Sequence, residues 1–214
     1  MPFQYIAVDG PIGVGKSPVV ERLAERLEAQ TVLESWAENP FLKPFYDARP
    51  GASFQAELFF LLSRYRQQQE ILQRKLFMRY TLCDYVLEKS KLFAYLNLDD
   101  SELLIYEKLY SLLVEGVPRP DLVVYLQAPT DVLLKRIRAR GRTDEAGLSE
   151  EYLAEVNRAY NHYFFHYSAT PLLVVNTSDV DFAKNTDDVD DLLRQIRSMA
   201  RGGTQYYVPR GSKG

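Results

Sequence analysis

The spacing of apolar residues alternates between two periods along the chain. Residues 3–9 form a short, mostly apolar run and read as a strand. Residues 19–29 then space their apolar side chains as a helix does. The same reading predicts a short strand at 31–34 and a long helix at 52–74, apolar on more than one face. It predicts a strand at 76–84 and helices near 85–96 and 101–114. Residues 121–127 are the clearest strand: Leu-Val-Val-Tyr-Leu is β-branched and aromatic, and Pro120 and Pro129 bound it. Helices at 131–140 and 150–166, a strand at 172–176 and a last helix at 188–199 complete the pattern. Strands that alternate with helices predict an α/β class, with a parallel sheet covered on both faces.

Length and composition narrow this picture. A chain of 214 residues suits one domain with a flap or lid. We take 1–209 as that domain and 210–214 as a tail or tag remnant. The net charge of −3 argues against a nucleic-acid partner bound by bulk charge. The single cysteine, Cys83, supports neither an internal disulfide nor a structural zinc site, and suits a reducing cytoplasm. It reads as a small buried residue. The densest apolar stretch, 58–62, is far shorter than the ~20 residues that span a bilayer. No basic segment precedes an apolar one at the start, so no signal peptide is read and no membrane partner is expected.

One segment carries explicit chemistry. Gly10-Pro11-Ile12-Gly13-Val14-Gly15-Lys16-Ser17 matches G-x-x-x-x-G-K-[ST], between a predicted strand and a predicted helix. Glycines let successive N–H groups turn toward phosphate oxygens, and the helix adds its positive end. Gly10, Gly13, Val14, Gly15, Lys16 and Ser17 therefore form a candidate nucleotide cradle. Lys16 is placed to reach the β- and γ-phosphates, and Ser17 offers its hydroxyl to Mg²⁺. A second cluster is basic: 135–142 holds five Lys or Arg residues. Arg136 and Arg140 share a helix face, and Arg142 follows Gly141. Such a run can surround transferring phosphates. His162 and His166 stand at metal-ligand spacing but have no third ligand nearby, so a structural role is preferred. Phe59 and Phe60 read as core or dimer surface.

Further segments decide among the many users of such a loop. These are Glu34-Ser35-Trp36-Ala37-Glu38-Asn39-Pro40-Phe41-Leu42 with Phe45-Tyr46, Ser63-Arg64-Tyr65-Arg66, and Asp84-Tyr85. Tyr125-Leu126-Gln127-Ala128-Pro129 leads to Arg136, Arg140-Gly141-Arg142 and Glu151-Tyr152-Leu153, and Val180-Asp181-Phe182 comes last. Together, over roughly residues 3–200, they resemble the deoxynucleoside kinase family, and within it the bacterial deoxyadenosine/deoxyguanosine kinase branch. The resemblance implies a three-layer, P-loop NTPase-type fold with a five-stranded parallel sheet and a basic lid near 136–148. It implies transfer of the γ-phosphate of ATP to the 5′-hydroxyl of a purine deoxynucleoside, with Mg²⁺, in nucleotide salvage. It also implies a cytoplasmic homodimer that binds small molecules. Alternatives are a nucleoside monophosphate kinase, such as a thymidylate kinase, and a non-catalytic nucleotide switch.

The resemblance also gives the matched residues jobs. Glu34 is the base for the sugar hydroxyl, and Arg136, Arg140 and Arg142 neutralise phosphate charge beside Lys16. Asp181 lies on the nucleotide side. Tyr46 and Glu145 contact the sugar, and Trp36 is either packing or a wall of that pocket. Arg64 pairs with Glu34 or Asp84, and Asp84 lies near Mg²⁺ with Ser17. Glu57 and Arg64, seven apart, project from one side of the long helix. The family position matching Glu57 is typically Gln. A carboxylate only accepts hydrogen bonds, so Glu57 favours guanine's two N–H groups over adenine. Tyr85 stands where the family has Arg, with Lys89 and Arg79 as candidate substitutes, and Gly147 permits lid bending.

Pro18 is a further departure. It removes an N–H from the first helical turn that would otherwise face the nucleotide. Pro18→Thr restores that donor and should tighten ATP binding by about 1 kcal/mol, roughly fivefold in Kd. Equilibrium titration checks this, and an unchanged or weaker Kd would overturn it.

Overall fold

The strand β1 (Tyr5–Asp9) is buried along its whole length, and its alternate residues face different helical layers. Ile6 and Val8 join a core with α1 (Lys16–Leu27). Ala7 points the other way, into a core that includes Tyr160 and Phe164. This period-two partition is what a strand covered on both faces requires. The protein is described here by a computed structural model for residues 2–74, 79–182, 185–199 and 202–209.

Six strands form one sheet in the order β2-β3-β1-β4-β5-β6, every neighbouring pair parallel. They are β1, β2 (Gln30–Val32), β3 (Thr81–Cys83), β4 (Leu122–Gln127), β5 (Leu172–Asn176) and β6 (Thr204–Tyr207). One layer holds α1, α6 (Thr130–Arg140) and α8 (Thr186–Ser198). The other holds α4 (Lys89–Asn97) and α7 (Glu150–Phe165). Next to it, α3 (Ala52–Arg74) and α5 (Asp100–Val114) share a smaller core through Leu61, Tyr106 and Tyr110. A short helix, α2 (Leu42–Tyr46), leads into α3. Because β1 lies between β3 and β4, the chain leaves β1 and β3 toward opposite sides, a switch point that opens a crevice at the carboxyl ends.

The α/β class and all five expected strands are present, and a sixth is added. β6 follows Gly202-Gly203 and pairs with β5 from Leu172↔Thr204 to Val175↔Tyr207. Its residues alternate between exposed and half-buried, so it lacks the apolar signal of the inner strands. The strand expected from 76 is described from Thr81, and 76–78 fall outside the described residues, as does the tail 210–214. The helix expected from 85 begins only at Lys89. Tyr85 is instead drawn into a core with Tyr5, Val32 and Ile71, and the Val86 N–H is taken by Asp9 Oδ2 at 2.9 Å. Among the described residues no helix is long and apolar enough to cross a membrane.

Candidate active site

The loop after β1 starts from a buried carboxylate. Asp9 Oδ1 accepts from the Gly10 N–H at 2.7 Å and from the Tyr160 hydroxyl at 3.2 Å, while Oδ2 takes Val86. One side chain thus ties the phosphate loop, the segment after β3 and α7 together. Gly13 sits at φ +84°, and a Cβ there would lie 2.7 Å from Ile137 Cγ1, so both backbone and packing demand glycine. Lys16 Nζ donates to the carbonyls of Gly10 and Pro11 at 2.7 and 3.2 Å. Burial lowers its pKa to about 8, with the like charge of Lys89 adding to the effect.

Asp84, just past β3, bridges two elements. Its Oδ2 accepts from Ser17 Oγ at 2.6 Å and its Oδ1 from the Glu34 N–H at 2.7 Å. Burial, reinforced by the Glu34 charge, raises its pKa. Glu34 itself is held between two cations. Arg64 reaches Oε1 through Nε at 2.7 Å, and Lys89 reaches Oε2 at 2.8 Å. Burial alone would push this carboxyl up; the charges of Arg64 and Lys89 outweigh it and hold Glu34 well below the usual carboxylate range. Arg64 also donates to Ser90 Oγ at 2.8 Å and lies over the Phe60 ring at 5.0 Å. The pairing of Arg64 thus goes to Glu34, and Lys89, on α4, supplies the second cation there.

These groups open onto a single cavity of about 660 Å³, also lined by Trp36, Tyr46, Glu57, Glu145 and Asp181. Its size is that of small-molecule sites in general. Phe60, read above as core or dimer surface, lines it too. Glu57 is 4 % exposed. Its Oε1 accepts from Asn97 Nδ2 at 2.7 Å, whereas Oε2 is buried with no hydrogen-bond partner. Burial raises its pKa to about 7 against the opposing charge of Arg64.

The basic cluster is arranged differently from the expectation. Arg136 does not aim a free guanidinium at the loop: it donates to the carbonyls of Thr177, Val180 and Val14 and to Thr177 Oγ1. It pins the segment after β5 against the phosphate loop, beside Asp181 on the same cavity wall. Arg140 donates to both oxygens of Glu145 at 2.6 and 2.7 Å. Arg142 approaches the same carboxylate at 3.6 Å and stacks over the Trp36 ring at 3.4 Å. Trp36 is therefore both wall and packing partner. Gly147 is a point of close approach more than a bend, since a Cβ there would lie 2.6 Å from the Tyr46 carbonyl oxygen.

Sequence reasoning did not single out Asp9, Tyr160, Phe93 or Asn97. A signal existed for two of them: Lys89, Phe93 and Asn97 are spaced by four, so one face of α4 presents all three. Cys83 is fully buried and its thiol pKa is pushed up by burial, as suits a packing residue. His162 and His166 pack ring against ring, with centroids 4.8 Å apart.

Lys89→Met leaves Glu34 with one cation. The depressed Glu34 pKa contributes stability that is present above the unfolded value of about 4.3 and is lost as pH falls through the folded one. The variant should therefore lose about 1–3 kcal/mol near neutral pH, and less at about pH 4, where its Glu34 can protonate. Denaturant unfolding at the two pH values checks this.

Comparison with known proteins follows the same lines. The family model described as "Deoxynucleoside kinase" matches residues 6–201. A deoxyguanosine kinase of Bacillus subtilis (strain 168) is 32% identical over 200 residues, covering 91% of this chain and 97% of that protein. A deoxyadenosine kinase of Lactobacillus acidophilus is 30% identical, covering 92% and 97%. Among solved structures, a deoxyadenosine kinase from M. mycoides with bound dATP superposes with a TM-score of 0.74 at 22% identity, over 91% of this chain and 100% of that one. With strands, phosphate loop and family match in agreement over most of its length, the chain belongs to the deoxynucleoside kinase family.

Proposed function

We propose that the protein transfers the γ-phosphoryl group of ATP to the 5′-hydroxyl of a purine deoxynucleoside, as a salvage reaction in the cytoplasm. One observation carries the reading: a carboxylate, Glu34, is fixed by Arg64 and Lys89 in the same cavity as the phosphate loop. Phosphoryl transfer needs positioning and charge neutralisation more than covalent help from the protein. Lys16 and the loop amides hold the phosphates. Glu34 stays ionised at any working pH, so it always accepts the hydroxyl's hydrogen bond. Its low proton affinity makes it a late base: the hydroxyl proton passes to a Glu34 oxygen only as the new P–O bond forms and the bond from the γ-phosphorus to the departing ADP oxygen breaks.

The adjoining Ser17 hydroxyl and Asp84 carboxylate, 2.6 Å apart, fit Mg²⁺ held mainly by nucleotide phosphates. When bound, the ion would neutralise phosphate charge. Tyr46 and Glu145 would face the sugar, with Trp36 beside them. Residues 136–148 would act as a lid on a single kinase domain, with Arg140 and Arg142 turning from Glu145 to the phosphates. Leu62 on α3 and Leu104, Ile105 and Leu112 on α5 are apolar and exposed, which supports a homodimer through these helices. Relatives named for deoxyguanosine and deoxyadenosine support the purine acceptor. A monophosphate acceptor is less favoured, because the cations beside Glu34, Arg64 and Lys89, are already paired with that carboxylate.

A panel of four deoxynucleosides and thymidylate with ATP tests this: purine deoxynucleosides should turn over and thymidylate should not. Glu34→Gln should keep nucleotide affinity and lower kcat by about 10²- to 10⁴-fold. Faster turnover of thymidylate than of any nucleoside, or undiminished kcat in the variant, would overturn the assignment.

A further inference from the structure

We propose that Glu57 makes the choice of base depend on its own proton, taking guanine as a carboxylate and adenine or cytosine as a carboxylic acid. This rests on the nucleoside kinase reading above and deepens it. The geometry supplies the asymmetry. Asn97 Nδ2 donates to Oε1, so Oε1 is held as an acceptor. Oε2 is buried, lacks a partner, and belongs to a side chain that lines the cavity. A buried carboxylate oxygen without a donor is costly, and a ligand N–H or a proton satisfies it.

The two states read different edges. As a carboxylate, Glu57 presents two acceptors, which match the N1–H and N2–H of guanine. As an acid, its proton must sit on Oε2, because Oε1 already accepts from Asn97. It then presents a donor beside an acceptor, which matches the N1 and amino group of adenine, or the N3 and amino group of cytosine. The wrong pairing leaves a buried polar group facing its like, which costs far more than a lost contact.

The surroundings hold the two forms close in energy. Burial favours the acid. Against it stand Arg64 on the same helix, Lys89 on α4 and the Asn97 donor. Glu34 adds like charge from the loop after β2. Neutral hydroxyls come from Tyr106 on α5 and Tyr152 on α7. The balance places the Glu57 pKa at about 7, so both forms are populated near neutrality.

The experiment compares kcat/KM for deoxyguanosine and deoxyadenosine from about pH 6 to about pH 8.5, below the N1–H ionisation of guanine. Lys16 also titrates in this range, with a pKa of about 8, but it acts on both substrates and cancels in their ratio. The deoxyguanosine/deoxyadenosine ratio should rise with pH, by at least about tenfold over two units. Glu57→Gln, which carries a donor and an acceptor at every pH, should favour deoxyadenosine with a flat ratio. Equilibrium binding of the two nucleosides should show the same trend without turnover. A flat ratio in the wild type, or a sloping ratio retained in Glu57→Gln, would overturn the proposal. Absence of turnover with every nucleoside would instead overturn the kinase reading, and this inference with it.

Discussion

The Glu34 carboxylate, clamped by Arg64 and Lys89, is the interaction on which the rest of the site depends. A lone carboxylate at that depth would take up a proton, since the cost of desolvating its charge is several kcal/mol. Two cations with direct hydrogen bonds reverse the preference. Each cation needs its own compensation: Arg64 has Ser90 and the Phe60 ring, and Lys89 has the Phe93 ring at 5.8 Å. The site is thus a neutralising network drawn from the loop after β2 and from α3 and α4, and it forms only when those elements pack together. Asp84 then joins it to the phosphate loop through Ser17.

Around that network the fold uses carboxylates as joints. Asp9 holds the beginning of the loop to the segment after β3 and to α7. Glu145 gathers Arg140 and Arg142 where the backbone of Gly147 meets that of Tyr46. Arg136 plays the opposite part, a cation that fastens backbone carbonyls after β5 to the loop after β1. The basic run from 135 to 142 therefore divides its labour: one arginine braces the wall, and two meet an acid at the rim.

Legibility in the sequence followed the range of the forces involved. The phosphate loop is local, so seven spacings and a flanking strand sufficed. The inner strands were readable because burial on both faces makes them continuously apolar, whereas β6 is half-exposed at the edge and resembles a tail. Glu34 and Arg64 were singled out by motif resemblance, and the fold brings the two side chains into contact. Asn97 was not readable, because its role arises only where α4 crosses α3 at Glu57. Arg136 looked like its neighbours in charge and helical phase. Its engagement with Thr177 and Val180 depends on a contact 41 to 44 residues away.

Placing Glu57 and Arg64 on one helix has a consequence for how such a site can diversify. Seven residues at 1.5 Å each separate them by about 10.5 Å along a rigid rod. On the kinase reading proposed above, the helix would work as a ruler, with reactivity marked at one end and molecular taste at the other. Residue 57 could then be exchanged while the far mark stays put, and new preferences would evolve without rebuilding the engine.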